Sequence, residues 1–450
     1  MSSIAEVLGR AEALHRAGNM AEADRAYREV LAMDPRHFGA SHALAVVQAQ
    51  SGRMEEALSL VEQALRINPQ SLEAKATYAN VLQGSGRPAD ALVILNEIVL
   101  AAPDMLPALY NRGNVLLALG RHADALADYD RVLAAMPDNA AALYNRGCAL
   151  QKMQQYQAAL ASYDKVLAIM PGNFFALHNR GAALLGLKRF GEALTSFDRA
   201  LTIEVDDVEA LTNRGVALYE LRRWEEALVS LERALAFRAD YAEAWANRAN
   251  VLFDLKRVDE AFGSWKQALA IRADFVEALI SRANALNELG RAAEAIADYE
   301  KVLAFDPAQN YVSGMLVHAK MHCCDWRGFE QAVGDLIAGV RANRRVVTPF
   351  ELLNICDSAA DQLQCTKLWV TDKFPAAAAA GWQGPKYRHD RIRLAYVSAD
   401  LRDHAAAYLL AGLIEHHDRS RFETIAISFG PDPASAMQAR LQGAFEHFID

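Results

Sequence analysis

Residues 110–137 read YNRGNVLLALGRHADALADYDRVLAAMP, and residues 144–171 read YNRGCALQKMQQYQAALASYDKVLAIMP. The two stretches carry glycine, alanine and aromatic residues at the same offsets, and they start 34 residues apart. The same period runs through nine copies, which begin at Leu8, His42, Ala76, Tyr110, Tyr144, His178, Thr212, Ala246 and Ile280. A fixed period of this length is typical of a stack of helical hairpins, each of which contacts only its neighbours.

Three positions in each copy predict how the hairpin packs. Position 4 is always glycine or alanine, and position 16 is alanine in every copy, from Ala23 to Ala295. Small side chains at these positions let two helices approach to about 8 Å. Position 20 supplies the bulk that fills the remaining space, with Tyr27, Val61, Leu95, Tyr129, Tyr163, Phe197, Leu231, Trp265 and Tyr299.

Two further positions predict where the helices turn and end. Position 11 is glycine in five copies, which suits a left-handed turn, and the other copies carry Gln154, Lys188, Arg222 and Lys256 there. Position 28 is proline in six copies and ends the second helix. The remaining three junctions, where we expect a softer helix end, carry Val205, Ala239 and Ala273.

The 34-residue pattern resembles the tetratricopeptide repeat. It covers residues 8–313 and follows a short leader at residues 1–7. The predicted fold class is therefore mostly α, an α-solenoid with a concave groove that binds other polypeptides.

A row of asparagines at position 2 is not explained by hairpin packing. The row consists of Asn111, Asn145, Asn179, Asn213 and Asn247, and each is followed by an arginine. We expect neither the asparagines nor the arginines to be needed for hairpin packing. A carboxamide has one acceptor and two donors, so it can pair with both the C=O and the N–H of an extended peptide. The sequence therefore predicts a polypeptide-binding row; the alternative is a surface choice copied by repeat duplication.

Residues 314–390 are predicted to form a helical connector that ends in a linker at 374–386. The connector contains the one cluster of possible metal ligands, His318, His322, Cys323, Cys324 and Asp325. Their spacing matches no common zinc pattern, so we expect no metal site there and interpret these residues as buried helix-packing positions.

The hydrophobic period changes after residue 390. Ile392–Ser398 and 422–429 read as strands, each followed by a helical segment, and 447–450 reads as the start of a third strand. This order predicts the start of a doubly wound α/β lobe at 391–450, and we expect the sequence to be part of a longer protein. His404 follows the first strand. It is either a helix-start histidine with a local hydrogen bond or a group that contacts phosphate or moves a proton.

Composition excludes several classes of partner. The net charge is −9, which argues against general affinity for nucleic acid, and no apolar run approaches the roughly 18 residues of a membrane span. The sequence shows no secretory signal, and its five cysteines are unevenly spread. We therefore expect a cytoplasmic protein without nucleic-acid or membrane partners. The oligomeric state is left open.

The layout resembles the family of protein O-linked N-acetylglucosamine transferases, including its bacterial members. The segments that carry the resemblance are RLAYVSADLRDH at 393–404, RFETIAISFGPD at 421–432, HFID at 447–450 and HAKMHCCDW at 318–326. The resemblance implies transfer of N-acetylglucosamine from a UDP-sugar to serine or threonine of proteins. It also implies that His404 is the active-site histidine and that the asparagine row holds extended acceptor polypeptides.

The resemblance leaves the donor open, because a related branch uses GDP-fucose, and no cofactor is expected besides the nucleotide sugar. The second nucleotide-binding lobe is absent from residues 1–450, so we expect this segment alone to be inactive even if the parent protein is an enzyme. The arginines that follow the asparagines suggest a basic groove that favours acidic acceptors. The alternatives are a non-enzymatic scaffold and a different nucleotide-binding enzyme such as a methyltransferase, although the loop at 399–403 lacks the glycines expected there.

Overall fold

The computed structural model describes residues 3–374, 389–430 and 435–449 and divides into two units, Met1–Val370 and Thr371–Asp450. The described part of the first unit opens with nine antiparallel helix pairs. These are α1 (Ile4–Arg16) with α2 (Met20–Met33), α3 (Phe38–Gln50) with α4 (Met54–Ile67), α5 (Leu72–Gly84) with α6 (Pro88–Ala101), α7 (Leu106–Ala118) with α8 (His122–Ala135), α9 (Ala140–Lys152) with α10 (Tyr156–Ile169), α11 (Phe174–Gly186) with α12 (Phe190–Leu201), α13 (Val208–Glu220) with α14 (Trp224–Phe237), α15 (Ala242–Asp254) with α16 (Val258–Ile271), and α17 (Val276–Glu288) with α18 (Ala292–Phe305). The predicted α-solenoid is confirmed.

The small residues of positions 4 and 16 lie where the two helices of a pair are closest. All nine alanines of position 16 are fully buried, and so are the bulky residues of position 20. The contact is tightest where position 4 is glycine: a Cβ added to Gly147 would lie 2.5 Å from Cε1 of Tyr163. An aromatic ring therefore rests directly on the backbone of the facing helix.

The turn between the helices needs left-handed backbone in every copy. The φ angles of Gln154, Lys188 and Arg222 are all 58°, close to those of the glycines at the same position in other copies. Such a conformation costs a non-glycine residue about 1–3 kcal/mol. Of the three junctions without proline, one differs in helix length, since α12 ends at Leu201 whereas α14 and α16 keep the 14 residues of the other second helices.

Four helices follow the repeats: α19 (Val312–His322), α20 (Phe329–Arg341), α21 (Pro349–Leu353) and α22 (Ala359–Lys373). Their core joins Val317, Leu336, Val347 and Cys365. The burial predicted for the cysteine–histidine cluster is wrong, because α19 ends there and its last turn leaves His322, Cys323 and Cys324 exposed. No group of side chains in the described residues is arranged to hold a metal ion. The part of the predicted linker that follows Phe374 lies outside the described residues.

The second unit holds a three-stranded parallel sheet in the order β1 (Ile392–Ser398), β2 (Phe422–Ser428), β3 (His447–Ile449). Ile392 pairs with Phe422, and Ile425 with His447. Two helices, α23 (Ala405–Glu415) and α24 (Ala436–Ala444), pack on one face of the sheet around Ala426 and Leu441. The predicted strand–helix alternation is confirmed. Throughout the described residues, every helix is too short or too polar for a membrane span.

We predict that Gly147→Ala destabilises the array by about 1–3 kcal/mol, because the new methyl group overlaps Tyr163. Gly263→Ala is the matched control: it lies within α16 with no atom near the new methyl, so it should stabilise by up to about 1 kcal/mol. Thermal unfolding followed by circular dichroism measures both changes. Equal losses at the two positions would contradict the close-packing explanation.

Candidate functional site

The first helices of the repeats form the inner side of the stack. Neighbouring first helices contact one another from α3 through α17, whereas neighbouring second helices do so little or not at all. A stack curves toward the side on which its members lie closer together. The asparagine row, which lies on these first helices, therefore faces the concave surface, where helical-repeat arrays bind their partners.

The row is half-buried along its length, and its first three members are bonded to the preceding repeat. Asn111 Nδ2 donates to Asn80 Oδ1 at 2.9 Å. Asn145 Nδ2 donates to the Tyr110 hydroxyl at 3.2 Å and to Asn114 Oδ1 at 2.8 Å. Asn179 Nδ2 likewise donates to the Tyr144 hydroxyl at 2.9 Å and to the Cys148 thiol at 3.6 Å.

Asn213 and Asn247 differ from the other three. Neither side chain has a hydrogen-bond partner among the described residues, although both lie at the same place in their helices. Two positions of the preceding repeat differ. Position 5 is Ala182 before Asn213 and Val216 before Asn247, where repeats three to five carry Asn80, Asn114 and Cys148. Position 1, a tyrosine before Asn145 and Asn179, is His178 and Thr212 there.

The residues that bind the asparagines were not predicted from the sequence. Burial raises the pKa of the Tyr144 hydroxyl well above its ordinary value and also raises the pKa of the Cys148 thiol. Both groups therefore stay neutral at physiological pH and accept the carboxamide N–H. The repeat pattern does contain a signal for these asparagine partners. Tyr110 and Tyr144 recur at position 1, and position 5 is polar only in some copies.

The arginines that follow the asparagines point toward the second helices and are paired there. Arg146 Nε binds Asp130 of the preceding repeat at 2.6 Å, and its Nη1 binds Ser162 of its own repeat at 2.8 Å. Equivalent carboxylate pairs join Arg180 to Asp164, Arg214 to Asp198 and Arg248 to Glu232. Arg112 instead pairs with Asp128 of its own repeat and reaches Asn96 of the preceding one. The expectation that these arginines play no part in packing is wrong, because most of them tie one repeat to the next.

The inner face is acidic rather than basic in repeats seven to nine. Helices α7, α9 and α11 contain no carboxylate. Helices α13, α15 and α17 each carry one near either end, four residues before position 2 and seven residues after it, on the same helix face. These are Glu209, Glu220, Glu243, Asp254, Glu277 and Glu288. The predicted basic groove is therefore wrong for repeats seven to nine, although Glu243 and Glu288 are paired with Arg272 and Lys256.

In the second unit, the loop between β1 and α23 brings Ser398, Asp400 and His404 together at the carboxyl end of the sheet. The Ser398 hydroxyl accepts the Asp400 N–H at 3.0 Å and so holds the start of the loop. Gly430, at the end of β2, fits beside this loop only because it lacks a side chain, since a Cβ there would collide with the Ala399 carbonyl. The two loops that follow β1 and β2 thus meet backbone to backbone.

His404 is the N-cap of α23, and its position restricts its chemistry. Its Nδ1 accepts the backbone N–H of Ala406 at 3.2 Å, while Asp400 Oδ2 lies 3.8 Å away, too far for a hydrogen bond. A neutral imidazole whose Nδ1 is an acceptor carries its proton on Nε2. About half of the side chain is exposed, so Nε2–H is free to donate to an oxygen of a bound substrate.

Comparison with known protein families assigns both units. Residues 8–309 match tetratricopeptide repeat patterns without a break. Residues 362–450 match the family described as Glycosyl transferase family 41. The chain is a tetratricopeptide-repeat protein whose residues 362–450 are similar to family 41 glycosyltransferases. That segment includes β1, the His404 loop and α23.

A relative of the family 41 segment is the UDP-N-acetylglucosamine–peptide N-acetylglucosaminyltransferase of Caenorhabditis elegans. It is 32% identical over 60 residues, which are 13% of this chain and 5% of that protein. The chain therefore spans a small fraction of this relative's length.

Three solved structures are similar to the repeat array. A tetratricopeptide repeat protein from Parabacteroides merdae is 18% identical and has a TM-score of 0.43, covering 52% of this chain and 93% of that one. YrrB, described as having an unusual peptide-binding site, is 22% identical and has a TM-score of 0.37. The match covers 42% of this chain and 97% of that one. The Cut9–Hcn1 structure is 15% identical and has a TM-score of 0.46, covering 70% of this chain and 76% of that one.

We predict that the arginine pairs of the tetratricopeptide array differ greatly in their contribution to stability. Arg112→Met leaves the Asp128 carboxylate, 3% exposed, without its partner and should cost about 3–5 kcal/mol. Arg121→Met breaks a pair with Asp124 in which both side chains are about half exposed, and should cost less than about 1 kcal/mol. Urea unfolding measures both, and similar losses would contradict the assigned role of Arg112.

Proposed function

We propose that this protein is a protein O-glycosyltransferase whose repeat array binds the polypeptide to be modified. The match of residues 362–450 to a glycosyltransferase family, in one chain with a peptide-binding type of array, carries the proposal. We further propose that the sugar is N-acetylglucosamine, transferred from a UDP-sugar to serine or threonine hydroxyls, with GDP-fucose as the alternative donor. The name of the C. elegans relative supports the first donor.

The proposed role of His404 is to position a substrate. Its Nδ1 is engaged by the helix backbone, so its free Nε2–H is a hydrogen-bond donor directed at the acceptor oxygen or at a donor phosphate. A role as general base through Nε2 would first require a change of tautomer. We therefore propose that the His404 side chain acts as a fixed hydrogen-bond donor at the start of α23.

The acceptor is proposed to be an extended, basic polypeptide. The inner helices of repeats seven to nine present a carboxylate at each end, and Glu220 and Glu277 have no ion-pair partner among the described side chains. Acidic acceptor polypeptides would be repelled by these carboxylates. All five cysteines are unpaired, which supports a reducing cytoplasm as the place of action.

We predict that His404→Asn in the full-length protein lowers sugar transfer at least tenfold, in the range of about 10²–10³ known for losing a positioned donor. Asparagine keeps the helix cap, so the melting temperature should not change. His416→Ala, on an exposed histidine at the other end of α23, is the matched control. Radiolabel transfer to peptide from UDP-N-acetylglucosamine and from GDP-fucose measures the rates. No transfer from either sugar by the unmodified protein would leave a peptide-binding scaffold instead.

We predict that acceptor charge changes affinity in a salt-dependent way. Two fluorescent peptides identical except for lysine or glutamate at the same positions should differ by roughly tenfold at low salt, with lysine binding more tightly. The difference should shrink at high ionic strength, because the carboxylates of the inner face are partly exposed. Equal affinities, or tighter binding of the glutamate peptide, would contradict the assignment.

A further inference from the structure

The asparagine row is chemically divided, and the division follows positions 1 and 5 of the preceding repeat. Asn145 and Asn179 each use Nδ2 for two hydrogen bonds to the repeat before them. A carboxamide has two N–H groups, so neither residue has a donor left for a ligand. Asn111 keeps one N–H, while Asn213 and Asn247 keep both N–H groups and the oxygen.

Binding the backbone of an extended peptide residue requires one donor and one acceptor from the same carboxamide. Asn145 and Asn179 can supply only the acceptor unless the bonds between repeats break. Asn213 and Asn247 can supply both without any rearrangement and with both N–H groups to choose from, whereas Asn111 has one N–H left. Their half-buried position on the inner face leaves them accessible to a ligand while restricting their rotamers.

We infer that Ala182 and Val216 determine where the array binds polypeptide backbone, by leaving Asn213 and Asn247 without a partner inside the protein. In earlier repeats, the corresponding position is Asn114 or Cys148, which ties the next asparagine to the stack. The inference rests on the proposed function, since it assumes that the array binds acceptor backbone. It assigns binding of a basic acceptor to repeats seven and eight, where carboxylates flank both asparagines, and a structural role to Asn145 and Asn179.

The spacing of the two free asparagines defines the ligand they fit. Neighbouring first helices lie about 10 Å apart, and an extended chain rises about 3.3 Å per residue. Asn213 and Asn247 therefore bind backbone groups about three residues apart. The carboxylates of α13 and α15 flank the same two asparagines, so basic side chains of that segment lie beside them.

The test measures binding of a fluorescein-labelled, lysine-containing Ser/Thr peptide to the complete chain, without any donor sugar. Asn213→Ala with Asn247→Ala should lower affinity at least about tenfold and leave the melting temperature unchanged, because only ligand hydrogen bonds are lost. Asn145→Ala with Asn179→Ala should lower the melting temperature and change affinity less than about threefold. A larger affinity loss from the second pair than from the first would overturn the inference.

Ala182→Asn supplies the missing partner and gives an independent test. It should tie Asn213 to the stack as Asn80 ties Asn111, leaving Asn213 one N–H, and weaken peptide binding about threefold or more without loss of stability. Ala182→Val is the control, since it adds bulk like that of Val216 but no acceptor, and should bind as the unmodified protein does. Unchanged binding in Ala182→Asn, or no binding by the unmodified protein, would overturn the inference. Failure of sugar transfer alone would instead count against the proposed function.

Discussion

Every repeat depends on the close approach of two helix backbones, with alanine at position 16 and an aromatic or aliphatic side chain at position 20. Where position 4 is glycine, as in Gly147, the ring of Tyr163 touches the opposite backbone and leaves no room for a methyl group. This contact fixes the angle between the two helices of a pair. It also fixes which side of the first helix faces away from its partner helix. The residues on that side form the inner face of the array.

Polar side chains then divide into two layers around this apolar contact. The arginines of position 3 bridge second helices, as Arg146 does between Asp130 and Ser162, and hold neighbouring repeats in register. The asparagines of position 2 lie on the opposite stripe. Asn111, Asn145 and Asn179 are hydrogen-bonded to the preceding repeat, whereas Asn213 and Asn247 have no such bond among the described residues. Loss of the acceptor at position 5, together with loss of the tyrosine at position 1, therefore accompanies the change from a structural asparagine to one available to a ligand.

Much of the fold could be predicted from the sequence, because a 34-residue period repeated nine times specifies helix ends, turns and core positions many times over. The left-handed turn at Lys188 and the strand Ile392–Ser398 were predictable for this reason. The pairing of Arg112 with Asp128 was harder, since it joins residues on different helices, yet arginine at position 3 and Asp or Ser at position 19 recur together. The exposure of Cys323 and Cys324 depends on where a single helix ends, which no repeat specifies.

The most direct measurement is photo-crosslinking of the complete protein to a lysine-containing acceptor peptide with a photoreactive group at its centre, followed by mass spectrometric mapping. The asymmetric inner face described above predicts that the crosslinks concentrate on α13 and α15, around Asn213 and Asn247. Crosslinks spread evenly over α7, α9 and α11, or confined to the second helices, would contradict the account.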